Sequence, residues 1–180
     1  MGKVHKILSM MKRIALVGTS STGKTTVFDL LKTDLLGYVF VNESTRTVKS
    51  YGFPINEEGT SETQLAISSF HLEALLRNSD TILDRSYLDL LVYSRHMDIS
   101  EPTLEFIEDI WEKVQNKYTH YVYFPIEFDA VEDGERSTNE DWRRTIDKEF
   151  QNVLGDLDKP YLTVTGSPKQ RVNQILEFIK

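Results

Sequence analysis

The sequence predicts an α/β fold in three layers, with a parallel sheet of about five strands and helices on both faces. Three observations support this prediction. Short apolar runs rich in β-branched or aromatic residues recur along the chain, and segments with helical spacing lie between them. Such alternation requires crossover connections, which make the strands parallel and cover both faces of the sheet. A length of 180 residues suits a single domain.

The strands are predicted from apolar runs at residues 14–17, 38–41, 81–83, 121–124 and 161–164. Three helices are predicted from residues, nearly all apolar, that recur at helical spacing: Val27, Leu30, Leu31 and Leu35; Leu65, Ser69, Leu72 and Leu76; Leu104, Ile107, Ile110, Trp111 and Val114. A last helix, with Val172, Ile175, Leu176 and Ile179 on one face, is predicted to begin after Ser167. Pro168 and Gln170 fit its first and third positions.

The chain is expected to form one domain over residues 11–180, preceded by a poorly ordered N-terminal extension over residues 1–10. Residues 51–60 and 127–139 fit neither pattern. Long loops inside compact domains usually bind substrate or move, so we expect substrate contacts and a lid in these two segments.

The composition excludes several classes of function. The chain has no cysteine, which rules out disulfides, thiolate zinc sites and cysteine nucleophiles. With 21 basic and 28 acidic residues the net charge is -7, the wrong sign for a general duplex-binding surface, although a local basic cleft is compatible with it. No apolar run approaches the roughly 20 residues of a membrane span. We therefore expect a cytoplasmic protein with no membrane attachment, and no partner protein is indicated.

The stretch VGTSSTGKTT, residues 17–26, fits the phosphate-binding pattern G-x-x-x-x-G-K-[ST] between a predicted strand and a predicted helix. The glycines let backbone N–H groups turn toward phosphate oxygens, and the following helix adds the positive end of its dipole. Lys24, as an exposed loop lysine, is predicted to reach the β and γ phosphates of ATP, and the Thr25 hydroxyl to ligate Mg²⁺. The predicted nucleotide-binding residues are Gly18, Thr19, Ser20, Ser21, Thr22, Gly23, Lys24, Thr25 and Thr26. The fold class is therefore the P-loop NTPase sandwich; a turn that merely caps a helix is the alternative.

Acidic residues follow two other predicted strands. Asp84 ends the third strand, where a carboxylate can reach Mg²⁺ or its waters, and Arg85 places a cation beside it. The alternative is a surface ion pair or a helix cap. Glu43 and Arg46 follow the second strand three residues apart, so both can face one side of a starting helix, either toward a substrate or as a plain ion pair.

Three arginines, Arg136, Arg143 and Arg144, follow the predicted fourth strand in the stretch DGERSTNEDWRR. Phosphoryl transfer needs cations that neutralise charge at the transferring group, so Arg136 and Arg143 are predicted to be catalytic residues on a lid around residues 127–145. The alternative is a solvated helix in which Glu140 pairs with Arg143 or Arg144.

Together, the stretches GTSSTGKTT, NESTR, ILDRS, DGERSTNEDWRR and TGSPKQR resemble the P-loop kinases of nucleosides and nucleotides, most closely the ribosylnicotinamide-kinase-like ATPase/kinase group. The resemblance covers nearly the whole chain from Lys12 onward. It matches Glu43, Arg46, Asp133 and Arg136 to characteristic positions of that group, and it implies that Arg136, Thr165, Gly166 and Ser167 contact the nucleotide. The pair Asp84–Arg85 is also similar to the Asp-Arg pair of thymidylate kinases, which implies that Arg85 contacts the acceptor.

The resulting hypothesis is an ATP- and Mg²⁺-dependent kinase that transfers the γ-phosphoryl group to a nucleoside or nucleotide-type small molecule. Lys24, Glu43, Asp84, Arg85, Arg136 and Arg143 are predicted to be catalytic, and Thr25 and Asp84 to hold the metal. Glu43, Arg46, Arg85 and Gln64 are predicted to bind the acceptor, with either Glu43 or Asp84 taking its proton. The rivals are a kinase that acts on nucleotides within a polynucleotide and an ATP-binding regulatory module with no acceptor. A GTPase is disfavoured, because no N-K-x-D motif follows a strand.

Overall fold

The computed structural model describes residues 11–129 and 139–180, and in these ranges five parallel strands form one sheet. The strands are β1 (Arg13–Val17), β2 (Val39–Val41), β3 (Thr81–Asp84), β4 (His120–Tyr123) and β5 (Tyr161–Thr163). Their order across the sheet is β2-β3-β1-β4-β5. The predicted α/β fold with about five parallel strands is confirmed, and each predicted strand overlaps an observed one.

Seven α-helices lie in the described ranges: α1 (Lys24–Asp34), α2 (Ser44–Ser50), α3 (Ser61–Ala74), α4 (Tyr87–Ser94), α5 (Glu101–Val114), α6 (Glu140–Asp156) and α7 (Pro168–Phe178). Short 3-10 turns occur at Asn56–Glu58 and Gln115–Lys117. The predicted cap of α7 is present, since the Ser167 N–H donates to Gln170 Oε1 over 2.9 Å. None of the helices described is long and apolar enough to cross a membrane.

Alternation along the strands divides the core between the two faces of the sheet. Ile14 and Leu16 of β1 pack with α1 and α7, whereas Ala15 and Val17 belong to a second cluster that includes residues of α3 to α6. Both faces are therefore covered by helices, as the near-continuous apolar strands require.

Helix α3 turns a different face to the core from the one predicted. Leu65 and Leu76, expected inside, are 43% and 79% exposed. The buried residues of α3 are instead Thr63, Gln64, Ile67, Ser68, His71 and Ala74. Hydrophobic periodicity misses this face because four of its six buried residues, Thr63, Gln64, Ser68 and His71, are polar.

Other expectations fall partly outside the described ranges. The N-terminal extension 1–10, together with Asp133 and Arg136 of the predicted lid, lies outside them, and of segment 127–139 only residues 127–129 and 139 are described. Segment 51–60 is irregular apart from the turn Asn56–Glu58.

The strand order places the ends of several strands around one crevice. From β1 the chain crosses β3 to form β2, returns to β3, and then continues on the other side of β1 with β4. Strand order reverses at β1, and open parallel sheets bind ligands beyond the carboxyl ends of the strands at such a point. Gly18, Glu43, Asp84 and Phe124 all follow or end strands at this edge.

Candidate active site

The loop between β1 and α1 has a backbone that requires glycine at its start. Gly18 has φ +138°, and a Cβ there would lie 2.5 Å from the Phe124 carbonyl oxygen. Gly23, with φ +84°, and Ser21, with φ +55°, are also left-handed. Residues 21–26, with Glu43 and Arg85, line a pocket of about 320 Å³ including its open mouth, which we call the P-loop pocket.

Lys24 lies folded against the loop and is only 5% exposed. Its Nζ donates to the carbonyls of Gly18 (2.8 Å) and Thr19 (2.5 Å) and to Thr22 Oγ1 (3.1 Å). Burial, with repulsion from Arg85, lowers the Lys24 pKa to about 7, although nearby carboxylates oppose the shift. The expectation of an exposed lysine is thus corrected, because the carbonyls of the loop hold the ammonium in place.

Thr25 and Asp84, the two residues predicted to hold a metal, are in direct contact. The Thr25 hydroxyl donates to Asp84 Oδ2 over 2.9 Å. The other oxygen, Oδ1, is buried and has no hydrogen-bond partner among the described residues. Burial and the Glu43 carboxylate raise the Asp84 pKa. A bare carboxylate oxygen beside a threonine hydroxyl fits Mg²⁺, which takes few protein ligands and keeps several waters.

Arg85 forms the central ion pair of the site, with Glu43. The Arg85 Nε donates to Glu43 Oε1 over 2.6 Å, and the two side chains are 12% and 14% exposed. Arg85 Nη1 lies 3.4 Å from Asp89 Oδ1, and its Cζ lies over the Tyr93 ring, 5.4 Å from the centroid. The φ of Arg85 is +75°, a costly conformation for a residue other than glycine and one that clusters at functional sites.

The charged neighbours of Glu43 determine the pKa of its carboxyl group. Burial alone would raise the Glu43 pKa, but the Arg85 ion pair and Lys24 lower it below its usual value. The predicted Glu43–Arg46 pair is present in a weaker form, with Arg46 Nε 3.9 Å from Glu43 Oε2 and half of the Arg46 side chain exposed. Arg85 is therefore the stronger partner of Glu43, whereas Arg46 is half exposed and lines the pocket described next.

A second pocket lies beside the first, enclosed by α2, α3 and α4; we call it the helical pocket. It measures about 680 Å³ with its open mouth, and its wall mixes apolar and polar side chains, among them Ile67, Leu90, Tyr93, Gln64, His71 and Asp89. Gln64 is buried, and its Oε1 accepts from Ser94 Oγ over 3.2 Å. Glu43 and Arg85 line both pockets. A group held by the P-loop and a group held in the helical pocket would thus meet at this ion pair.

Among the residues of the helical pocket to which sequence analysis gave no role, three have ionisable side chains: His71, Asp89 and Tyr93. Asp89 Oδ2 accepts from the Ser86 N–H over 2.8 Å and so completes the cap of α4. Burial raises the Asp89 pKa to about 6 against the pull of Arg85. The spacing Ser86-x-x-Asp89 was a signal for this cap. His71 and Tyr93 carried no signal, because each reads as a helix residue among apolar neighbours.

His71 gives a testable pH dependence. Burial, with repulsion from Arg85, lowers the His71 pKa to about 4. The folded-state pKa lies below the unfolded value near 6.5, so above pH 6.5 the imidazole is neutral in both states and the fold is most stable. As the pH falls from 6.5 through 4 this stability is lost, because the unfolded chain takes up a proton that the folded protein does not. We expect the unfolding free energy to drop by roughly 3 kcal/mol more in the wild type than in His71→Gln between pH 7 and pH 4. Urea denaturation at several pH values measures this; parallel curves for the two proteins would contradict it.

Two other predicted groups lie at the rim of the P-loop. Arg143 was predicted as a lid cation, and the structure instead places its guanidinium fully buried, with Nε and Nη2 each 3.3 Å from the Ser20 carbonyl oxygen. Glu140 does pair with Arg143, as in the alternative interpretation, but the arginine is not solvated.

The predicted residues Thr165, Gly166 and Ser167 are exposed and lead into α7. Arg171 of α7 ends the stretch TGSPKQR that carries the family resemblance, although it was assigned no role of its own; its Nη1 donates to the Thr22 carbonyl over 2.7 Å.

Comparisons with known proteins agree with the fold described above. A family model described as AAA domain matches residues 13–171. Deoxyadenosine kinase from M. mycoides, solved with dCMP and dCDP, has 17% identity and a TM-score of 0.70, covering 93% of this chain and 97% of that one. Thymidylate kinase from Candida albicans has 16% identity and a TM-score of 0.66, covering 94% and 91%.

NadR protein in complex with NR has 16% identity and a TM-score of 0.74, covering 95% of this chain but only 50% of that one. This chain therefore spans about half of the NadR chain. A search of curated proteins finds no significant match. At these identities the similarity establishes the fold, and the chemistry must be argued from the residues of this chain.

Proposed function

Because the chain belongs to the AAA domain family and has the fold of P-loop nucleoside and nucleotide kinases, we propose that it transfers the γ-phosphoryl group of ATP to a small acceptor of nucleoside or nucleotide type. One observation carries the proposal. Two pockets meet at the Glu43–Arg85 pair, one formed by a phosphate-binding loop and the other lined by apolar side chains with a few polar groups, as expected for a site that holds a heterocycle with its sugar.

In this proposal the P-loop binds the triphosphate through its N–H groups and Lys24, and the helical pocket binds the acceptor. Catalysis consists of alignment and charge neutralisation, since a loose phosphoryl-transfer transition state leaves the protein little covalent chemistry. Lys24 and Arg85 supply positive charge on two sides of the junction between the pockets, and Glu43 contacts the acceptor hydroxyl. Mg²⁺, held by Thr25 and Asp84, would neutralise charge on the phosphate oxygens when bound. Arg136 remains a proposed lid cation.

Incubation with labelled ATP and a panel of acceptors tests the proposal. The panel contains nucleosides, nucleoside monophosphates, nicotinamide riboside and oligonucleotides. We expect label in one of the small acceptors, and the Mg²⁺ requirement is tested by adding a chelator. Transfer to oligonucleotides alone would favour the polynucleotide kinase, and ATP hydrolysis with no labelled acceptor would favour the regulatory module.

The metal role of Asp84 is tested with Asp84→Asn, which keeps the shape and one hydrogen-bonding oxygen but loses the charge. We expect the Mg²⁺ concentration for half-maximal rate to rise by at least about 10-fold, together with a lower kcat. Asp80→Asn is a matched control, because Asp80 precedes β3 at the opposite end, where it accepts from the Lys12 N–H. An unchanged Mg²⁺ dependence in Asp84→Asn would remove Asp84 from the metal site.

A further inference from the structure

Two buried arginines hold the P-loop from opposite faces of the sheet. Arg143 on α6 is 0% exposed and Arg171 on α7 is 2% exposed, and they are the two largest fully buried side chains in the described ranges. Arginine is almost never fully buried unless it is paired, so each burial needs a reason. Their partners supply it: each guanidinium binds a main-chain carbonyl of the P-loop.

Each arginine is also neutralised and oriented by its surroundings. Arg143 pairs with Glu140, and its Nη2 donates to the Phe128 carbonyl over 3.3 Å. Arg171 pairs with Glu127, and its Nε donates to the Gly166 carbonyl over 2.9 Å. The planar fork of arginine can satisfy a carboxylate and carbonyls at once, which the single ammonium of lysine cannot do with the same geometry.

The bonds to the loop determine where its N–H groups point. In a planar trans peptide the carbonyl of one residue and the N–H of the next point in opposite directions. The bond from Arg143 to the Ser20 carbonyl therefore turns the Ser21 N–H away from Arg143, and the bond from Arg171 to the Thr22 carbonyl turns the Gly23 N–H away from Arg171.

Ser21 and Gly23 both line the P-loop pocket, and both have left-handed φ values of +55° and +84°. Alternation of left-handed with ordinary residues is the backbone geometry that gathers successive N–H groups into an anion-binding concavity. Left-handed serine is strained, so this geometry must be held by contacts from outside the loop.

We propose that Arg143 and Arg171 are positioning residues: by holding the Ser20 and Thr22 carbonyls from the two faces of the sheet, they aim the Ser21 and Gly23 N–H groups at the phosphates of a bound nucleotide. This goes beyond the proposed kinase activity and depends on it only in taking the loop as the nucleotide site. The role differs from that of a lid cation, because neither arginine needs to touch the nucleotide.

The test uses Arg143→Lys and Arg171→Lys, which keep a positive charge but lose the forked geometry. Loss of hydrogen bonds that orient charge-binding groups should weaken Mg·ATP binding by about 10- to 100-fold in each variant, measured by calorimetry below the melting temperature. The acceptor KM should change by less than about twofold, since the helical pocket is not altered. A purely structural role would lower the melting temperature and leave the Kd of the folded protein unchanged, which would overturn the proposal.

Arg13→Lys is the matched control. Arg13 Nη2 donates to two main-chain carbonyls, those of Leu75 (3.3 Å) and Arg77 (3.2 Å), but at the start of β1, the edge of the sheet opposite the P-loop. We expect this variant to lose stability with no change in the Kd for Mg·ATP. An equal loss of affinity in Arg13→Lys would mean that general destabilisation causes the effect, and the proposal would fail.

Amide resonances provide a residue-specific readout. Addition of Mg·AMP-PNP should shift the Ser21 and Gly23 amides of the wild type; Arg143→Lys should diminish mainly the Ser21 shift, and Arg171→Lys mainly the Gly23 shift. Equal responses of both amides in both variants would contradict the assignment.

If a lysine variant does not fold, Glu140→Gln and Glu127→Gln, which release each arginine only partly, should still weaken binding by about threefold. The Kd for Mg·ATP and the amide shifts need no acceptor, so the inference stands or falls separately from the kinase activity.

Discussion

Replacement of Lys24 by methionine is expected to lower kcat by at least about 10³-fold while the protein stays folded. The ammonium is held at the mouth of the P-loop by the carbonyls of Gly18 and Thr19, next to residues that line the phosphate pocket. Methionine keeps the apolar stem but has no charge to offer to the transferring phosphate. The fold should survive, because methionine fills a similar volume and removes a buried charge whose desolvation is unfavourable.

A second measurement on Lys24 separates its charge from its packing. Burial lowers its pKa in the free protein to about 7, so an appreciable share of the amine is neutral at pH 8. A bound triphosphate would raise that pKa by attraction, and binding should take up a proton. Calorimetry in buffers of different ionisation enthalpy should show this uptake at pH 8 for the wild type and its loss in Lys24→Met.

Lys32→Met is the control for both experiments. Lys32 lies in the last turn of the same helix and pairs with Asp29 on the surface. Its loss should leave kcat and proton uptake unchanged. Turnover at the wild-type level in Lys24→Met would rule out the proposed kinase mechanism.

The fold and the P-loop could be predicted from the sequence because both depend on local signals. Apolar runs alternate with helical spacing, and the spacing of Gly18, Gly23 and Lys24 specifies a particular turn between strand and helix. The capping pattern at Ser167 is local as well, and it is present.

The contacts that complete the site could not be predicted, because they join residues distant in sequence. Glu43 and Arg85 are 42 positions apart, and Thr22 and Arg171 are 149 apart. Charged and polar residues that are buried by such partners look like surface residues in a hydrophobicity pattern. For this reason the sequence indicates a lid cation or a solvated cation at Arg143 and gives no signal at His71, although both side chains are buried.

The second large effect is expected for Glu43→Gln, which should lower kcat by on the order of 10²-fold or more with little change in the acceptor KM. Glu43 lines both pockets, so its carboxylate is within reach of a group that approaches the P-loop from the helical pocket. Glutamine keeps the shape and can still accept a hydrogen bond, but it cannot take up a proton. A kcat effect without a KM effect would identify an interaction made mainly in the transition state.

The electrostatics of the site provide a competing explanation. The Arg85 ion pair lowers the Glu43 pKa, which makes this carboxylate a weaker base than an isolated glutamate. If Glu43 only orients Arg85, then Glu43→Gln and Arg85→Lys should both mainly raise the acceptor KM. The double variant would then be no worse than the worse single one, because both changes remove the same interaction.

Arg46→Gln distinguishes the two partners of Glu43. Arg46 lies 3.9 Å from Glu43 and is half exposed, whereas Arg85 lies at 2.6 Å and is mostly buried. Loss of Arg46 should therefore perturb Glu43 far less than loss of Arg85, and a kcat close to the wild-type value is expected.

If the double-variant pattern above were found instead of the kcat effect, the base role would move to Asp84, whose pKa is raised by burial and by Glu43. Should Asp84→Asn in turn change only the metal dependence, the reaction would proceed without a protein base, as a loose transition state with late proton removal permits.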